Sequence, residues 1–181
     1  VNVPVLAEEV QDGLETVTNE MQQLFVADDK ATESVQALAE GETSGVCGEN
    51  ATWTFADGVL TISGTGEITN PSWLQMRENI TSVVMDDSIT DLGHGAFEGC
   101  VNLKNVKLSN QLTTLGLSTF HECSSLETIA LPESISEIGT VVFRNCTSLT
   151  SIVIPENVAV INEQTFYGCT ALTSVILPEG L

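Results

Sequence analysis

Five cysteines, two histidines and twenty-five carboxylates are the side chains of this 181-residue sequence equipped for nucleophilic, acid–base or metal chemistry. Four of the thiols, Cys100, Cys123, Cys146 and Cys169, recur every 23 residues. If each interval is one coil of a stack, neighbouring thiols lie ~4.8 Å apart, near enough for a disulfide. Cysteine is equally a favoured small apolar core residue, and the regular line predicts inward thiols without bonds. Zinc needs ligands arranged tetrahedrally, which a line does not offer. Cys47 has no partner at a comparable spacing. His94 follows Gly93 and His121 follows Phe120, so they share no repeat position and are expected as exposed loop residues. No H-E-x-x-H, G-x-S-x-G or phosphate-binding glycine loop occurs. Gly64 and Gly66 lack the helix-opening remainder of a dinucleotide fingerprint. The chain is expected not to be an enzyme.

Elements of fixed period must position these residues. Phe97, Phe120, Phe143 and Phe166 keep the same 23-residue interval as the cysteines. Four full units run from Ile80 without insertion or deletion, and a fifth begins as LTSVILPEGL and stops at Leu181. That stop is expected of a piece of a longer chain. A single unit of this length cannot bury its own apolar face, whereas stacked units share one core. Each unit opens apolar-x-x-apolar-x-apolar, as at Leu126, Ile129 and Leu131, with the spacing of a strand that turns one face inward. Pro132, Pro155 and Pro178 close three of these strands. Ile135 and Ile138 form a second apolar pair, and Gly93, Gly116 and Gly139 are expected to turn the chain after it. The Phe-x-x-Cys segment suits a helical or 3₁₀ turn on the opposite wall. The architecture expected is a right-handed β-rich solenoid.

Stacking turns repeat positions into surface columns. Asp87, Glu133, Glu156 and Glu179 share one position, with Asn110 filling the gap. Stacked carboxylates repel, so this column is the candidate for a Ca²⁺ ion, set against carboxylates pointing separately into water. On the outward strand face, Ser82, Asn105, Thr128, Ser151 and Ser174 run beside Val84, Lys107, Ala130, Val153 and Ile176. That mixture of hydroxyls and exposed aliphatics is the candidate ligand-binding surface.

The unit beginning Ala96-Phe97-Glu98-Gly99-Cys100 resembles the BspA-type leucine-rich repeats. Before the repeats, Cys47-Gly48-Glu49-Asn50-Ala51-Thr52-Trp53-Thr54-Phe55 and the run from Gly58 to Gly66 resemble the cap that precedes them in surface proteins of gut and oral bacteria. Thr119, Val142 and Thr165 depart from the alanine at position 96, and Asn162 from the glycine. Within residues 45–79, Thr52–Phe55 and Val59–Ser63 read as strands joined at Ala-Asp-Gly, with Trp53 and Trp73 covering the first coil. The resemblance implies a secreted or cell-surface adhesion module with an extracellular or host protein as ligand. The alternatives are a carbohydrate-binding or targeting module, or a structural spacer, of a larger surface protein. The strand face lacks stacking aromatics, which weighs against sugar there.

Residues 1–44 are of another kind. Leu6, Val10, Leu14, Val17, Met21 and Leu24 line one face of an expected leading helix, followed by an acidic linker from Thr32. That helix is expected to pack on the cap or to pair as a short coiled coil. The sequence starts at Val1 with no basic-then-apolar leader, as expected if one was removed beforehand. Its longest apolar runs fall short of the roughly 18 residues that span a bilayer, so no membrane insertion is expected. A net charge of −20 repels phosphates, so nucleic acid is not an expected partner.

Overall fold

The computed structural model describes residues 43–181; the leading helix expected over residues 6–24 lies outside them. Three antiparallel strands come first: β1 (Thr43–Val46), β2 (Asn50–Ala56) and β3 (Val59–Glu67). Asp57 and Gly58 join β2 to β3 with φ of 50° and 81°. Positive φ at both central residues matches the twist of a two-residue hairpin, which is why Asp-Gly stands there.

From β3 onward the chain coils. β4 (Ser82–Met85) pairs parallel with β3, and β6 (Asn105–Lys107) with β4. Thr128 bridges to Ser151, and β9 (Ser151–Val153) pairs parallel with β10 (Ser174–Ile176). This is the strand face. A second wall stacks the end of β3, β5 (Ile89–Asp91), β7 (Thr114–Leu115) and β8 (Glu137–Ile138). Ser82 opposes Asn105, Thr114 opposes Glu137, and Ser151 opposes Ser174, so the register is the sequence period itself.

The same offset appears one coil earlier than the sequence reading allowed. Val59 opposes Ser82 and Ile62 opposes Met85, again 23 residues apart. Val59–Asn79 is therefore a degenerate coil, and only β1 and β2 before it are foreign to the repeat. Trp73, on the 3₁₀ helix Ser72–Asn79, takes the place a Phe holds elsewhere. Its indole stacks on Phe97 at 6.0 Å and donates to Ala96 O at 2.7 Å. Trp53 meets it edge-on at 6.1 Å and donates to Ser72 Oγ.

The core is a bundle of ladders. Leu103, Leu126 and Leu149 are fully buried, as are Leu112, Ile135, Leu115 and Ile138. Phe97, Phe120, Phe143 and Phe166 stack at 5.3, 5.6 and 5.8 Å. Each offset pair adds ~0.5–1.5 kcal/mol beyond the ~1.5–3 kcal/mol of burying a ring.

The Phe–Cys wall corrects the expectation of a helical or 3₁₀ turn: the i→i+3 bond is there, but the backbone is not helical. Cys100 N–H donates to Phe97 O, and the later coils repeat that i→i+3 bond. The residue before each cysteine (Gly99, Glu122, Asn145, Gly168) has φ between 60° and 77°, the signature of a type II turn. A second positive φ recurs at Gly95, Ser118, Val141 and Gln164. The glycine ladder is likewise reassigned. Gly93 has φ 64°, but Gly116 and Gly139 do not share it. A Cβ on Gly116 would collide with Gly93 O, so close coil-to-coil approach excludes a side chain there. Asn162 departs from glycine and donates its amide to Ile138 O at 2.6 Å. Thr119 and Thr165 are buried where Ala96 stands because their hydroxyls bond Gly116 O and Asn162 O at 2.7 Å.

Candidate functional site

Period-two alternation decides which strand side chains face water. Val83 and Met85 are buried while Val84 between them is exposed. Strand pairing sets Ser82 beside Asn105, Ser151 beside Ser174, and Thr128 beside Ser151. One row over, Val84 lies beside Lys107 and Val153 beside Ile176. Thr128 and Ala130 are exposed on the coil between. Of the ten candidates only Ser82 is half-buried, and Asn105 Nδ2 donates to its hydroxyl at 3.4 Å. Val153 and Ile176 expose 53% and 58% of their surface, enough for a partner to bury. Lys107 is the one charged group among the ten.

Hydroxyls flanking these rows are spent inside the fold, a feature the sequence reading missed. Thr150 Oγ1 bonds Glu127 O and Thr173 Oγ1 bonds Thr150 O, each at 3.2 Å across one coil. Ser124, Thr147 and Thr170 form a second such line. Their recurrence at 23-residue spacing was the available signal.

Asp87, Glu133, Glu156 and Glu179 are all exposed. Asn110 donates its backbone and side-chain N–H to Asp87 Oδ1 at 3.3 and 3.0 Å, which gives that carboxylate a neutral partner on the next coil. Among the described residues no three His, Cys, Asp or Glu side chains form a group that could hold a metal ion.

The cysteines are free thiols. Cys123, Cys146 and Cys169 each donate S–H to the carbonyl of the preceding coil's phenylalanine, at 3.2, 3.1 and 3.0 Å. Burial pushes the Cys100 and Cys146 thiols up to about 12 and Cys47 to about 11, because an apolar interior disfavours the thiolate. Such thiols are poor nucleophiles.

The histidines divide. His94 is exposed and its Nδ1 accepts from Leu117 N at 3.1 Å. His121 is not the free loop residue expected. Its side chain is mostly covered, with Nδ1 3.1 Å from Glu98 Oε1 and Nε2 3.7 Å from Glu122 Oε1.

Parallel strands in 23-residue register around leucine and phenylalanine ladders define a leucine-rich repeat solenoid. Residues 67–181 match the model of the BspA type leucine rich repeat region, in six copies. The chain belongs to the BspA-type leucine-rich repeat family. The match opens at Glu67, ahead of Ile80, in keeping with the degenerate coil.

Among solved structures, the chain is similar to the leucine-rich repeat protein TpLRR of T. pallidum. That likeness has 25% identity and a TM-score of 0.60, covering 76% of this chain and 69% of the other. A leucine-rich repeat protein from Eubacterium ventriosum has the same fold, with 22% identity and a TM-score of 0.59 over 77% of this chain and 45% of that one. A leucine rich cell surface protein from Faecalibacterium prausnitzii is 27% identical, with a TM-score of 0.53 over 76% and 40% of the two chains. The chain thus spans less than half the length of the latter two relatives. No curated protein matches it. Repeats of this family point to a protein-interaction or surface-type module.

Proposed function

We propose that the chain is a non-catalytic protein-binding module, secreted or displayed on a cell surface, that engages an extracellular or host protein through its strand face. The supporting observation is the two exposed rows on that face, hydroxyl beside aliphatic, with Val153 and Ile176 presented side by side. Flat apolar area rimmed by neutral hydroxyls offers burial with little desolvation cost. A relative described as a cell surface protein supports the location. The strongly acidic composition keeps such a module solvated and turns away nucleic acid and anionic lipid.

The test is binding of the purified chain to immobilised matrix proteins, with and without calcium, beside the double variant Val153→Asp/Ile176→Asp. Saturable binding that the double variant loses, with its circular dichroism unchanged, is the expected result. Equal affinity of variant and wild type would remove the strand face as the interface. Calcium dependence traced to Glu133 and Glu156 would give the acidic column its role.

A further inference from the structure

Given that the strand face is the interface, we propose that the protein segment docking there is acidic and seats its carboxylates on Lys104 and Lys107. Those lysines stand within the face, not at either end of it. Thr54 opposes Thr61, Thr61 opposes Val84, and Val84 opposes Lys107. One outward row therefore crosses β2, β3, β4 and β6 without a break, so the face starts on the cap. Beyond β6 the next coil continues it with Thr128 and Ala130, both exposed.

The charges on this face run against those of the whole chain. The sequence holds twenty-five acids and five bases. Even so, neither outward row carries an acid, whereas two of the five bases, Lys104 and Lys107, are exposed on one coil. Glu127 follows Lys104 at the same repeat position, but the ion pairs among the described residues are those of His121 with Glu98 and Glu122. Lys107 has Val84 on one side, and Ala130 holds its position on the next coil. A partner that buries those aliphatics also strips water from the ammonium between them. Taking a charge out of water without a counter-charge is among the costliest steps of any association. No carboxylate of this chain stands in the row to meet it, so the partner must bring one.

The same neighbours select the class of partner. Lys104 and Lys107 are three residues apart, about 10 Å along an extended backbone at ~3.3 Å per residue. Alternate side chains of an extended partner segment project to one side about 6.8 Å apart, so two acids at that spacing can each reach a flexible ammonium. Val84 and Ala130 call for apolar groups beside those acids, which a protein segment supplies and a sulfated or phosphorylated polymer does not. A polyanion would also run past the lysines onto Asp87, Glu127 and Glu133, all exposed. Screening acts over about 8 Å at physiological ionic strength, so the remote part of the net charge of −20 bears little on so short a contact.

The 181-residue chain, passed over immobilised short peptides that alternate valine with glutamate, with lysine or with serine, tests this. The glutamate peptides should bind best, and less tightly as salt rises. Lys104→Gln/Lys107→Gln should weaken that binding by about tenfold or more, Lys104→Arg/Lys107→Arg should keep it, and Lys107→Glu should shift preference toward the lysine peptides. Absence of glutamate-peptide binding, binding that survives the double glutamine variant, or tighter binding to heparin would overturn the proposal. The neutral variant Val153→Ser/Ile176→Ser separates it from the reading it rests on. Serine-peptide binding that this variant loses, with glutamate peptides no better, would keep the strand face and remove its acidic partner. Lysine-dependent glutamate binding that this variant leaves unchanged would keep the acidic partner and remove the wider face.

Discussion

The strand face and the Phe–Cys wall put the same 23-residue unit to unlike uses. On the strand face the bonds run both ways: where a strand opens the coil donates backward, Lys104 N–H to Thr81 O, Thr150 to Glu127 and Thr173 to Thr150, and past its end Ile154 N–H donates forward to Ile176 O. On the Phe–Cys wall each coil donates forward: Phe97 N–H to Thr119 O, Phe120 to Val142, Phe143 to Thr165. The first wall uses extended backbone that any residue adopts, so only its inward positions are constrained. The second needs two left-handed residues per coil as well as a buried ring and thiol. Backbone constraint is therefore heavier on one wall, and the freedom to vary lies on the outer side of the other.

Breaking that contrast is easiest at the ring ladder. Phe120→Ala removes a fully buried ring stacked on both sides and should destabilise by ~3–5 kcal/mol, read from urea unfolding. A loss under 1 kcal/mol would mean that the ladder is not where stability resides.

A large pH effect should follow from the thiols. With folded values raised to about 12 for Cys100 and Cys146, only the unfolded chain releases those protons just above pH 9. Their contribution is present below about pH 9 and lost as pH rises toward about 12. The urea midpoint should fall across that window, and less so in a Cys100→Ala/Cys146→Ala variant. At neutral pH Ellman's reagent should reach half-buried Cys169 before any other ladder thiol.

Val141→Gly sharpens the comparison from the other side. A β-branched residue at φ 55° costs ~1–2 kcal/mol, and glycine gives back ~0.5–1 in unfolded-chain entropy. A net gain of about 0.5–1 kcal/mol in urea unfolding is expected. Smallest of all, Val153→Asp/Ile176→Asp should shift stability by no more than about 0.5 kcal/mol per site. A larger drop would show that the strand face is not free after all.

How much of this was legible follows the same divide. Phe97 through Phe166 and Cys100 through Cys169 announce period, stacking direction and core, because a buried ladder demands one residue type at every coil. The degenerate coil from Val59 escaped because Trp73 stands in for phenylalanine and Arg77 occupies the cysteine position. Left-handed positions escaped too: Gly95, Ser118, Val141 and Gln164 share a conformation but no chemistry. The strand-face rows were readable from period-two alternation alone. The contact of Arg144 with the Tyr167 ring was not, since a cation–ring contact belongs to geometry rather than to spacing.

Between Phe120 and Phe166 the ring planes agree within 2°. Successive rings there follow one another without tilting. Duplicating or deleting one 23-residue block in that stretch should return every ladder to itself, changing the height of the stack by one strand spacing of ~4.8 Å. In-frame recombination between units can thus lengthen or shorten the molecule in whole steps, so that reach is inherited separately from whatever each coil displays.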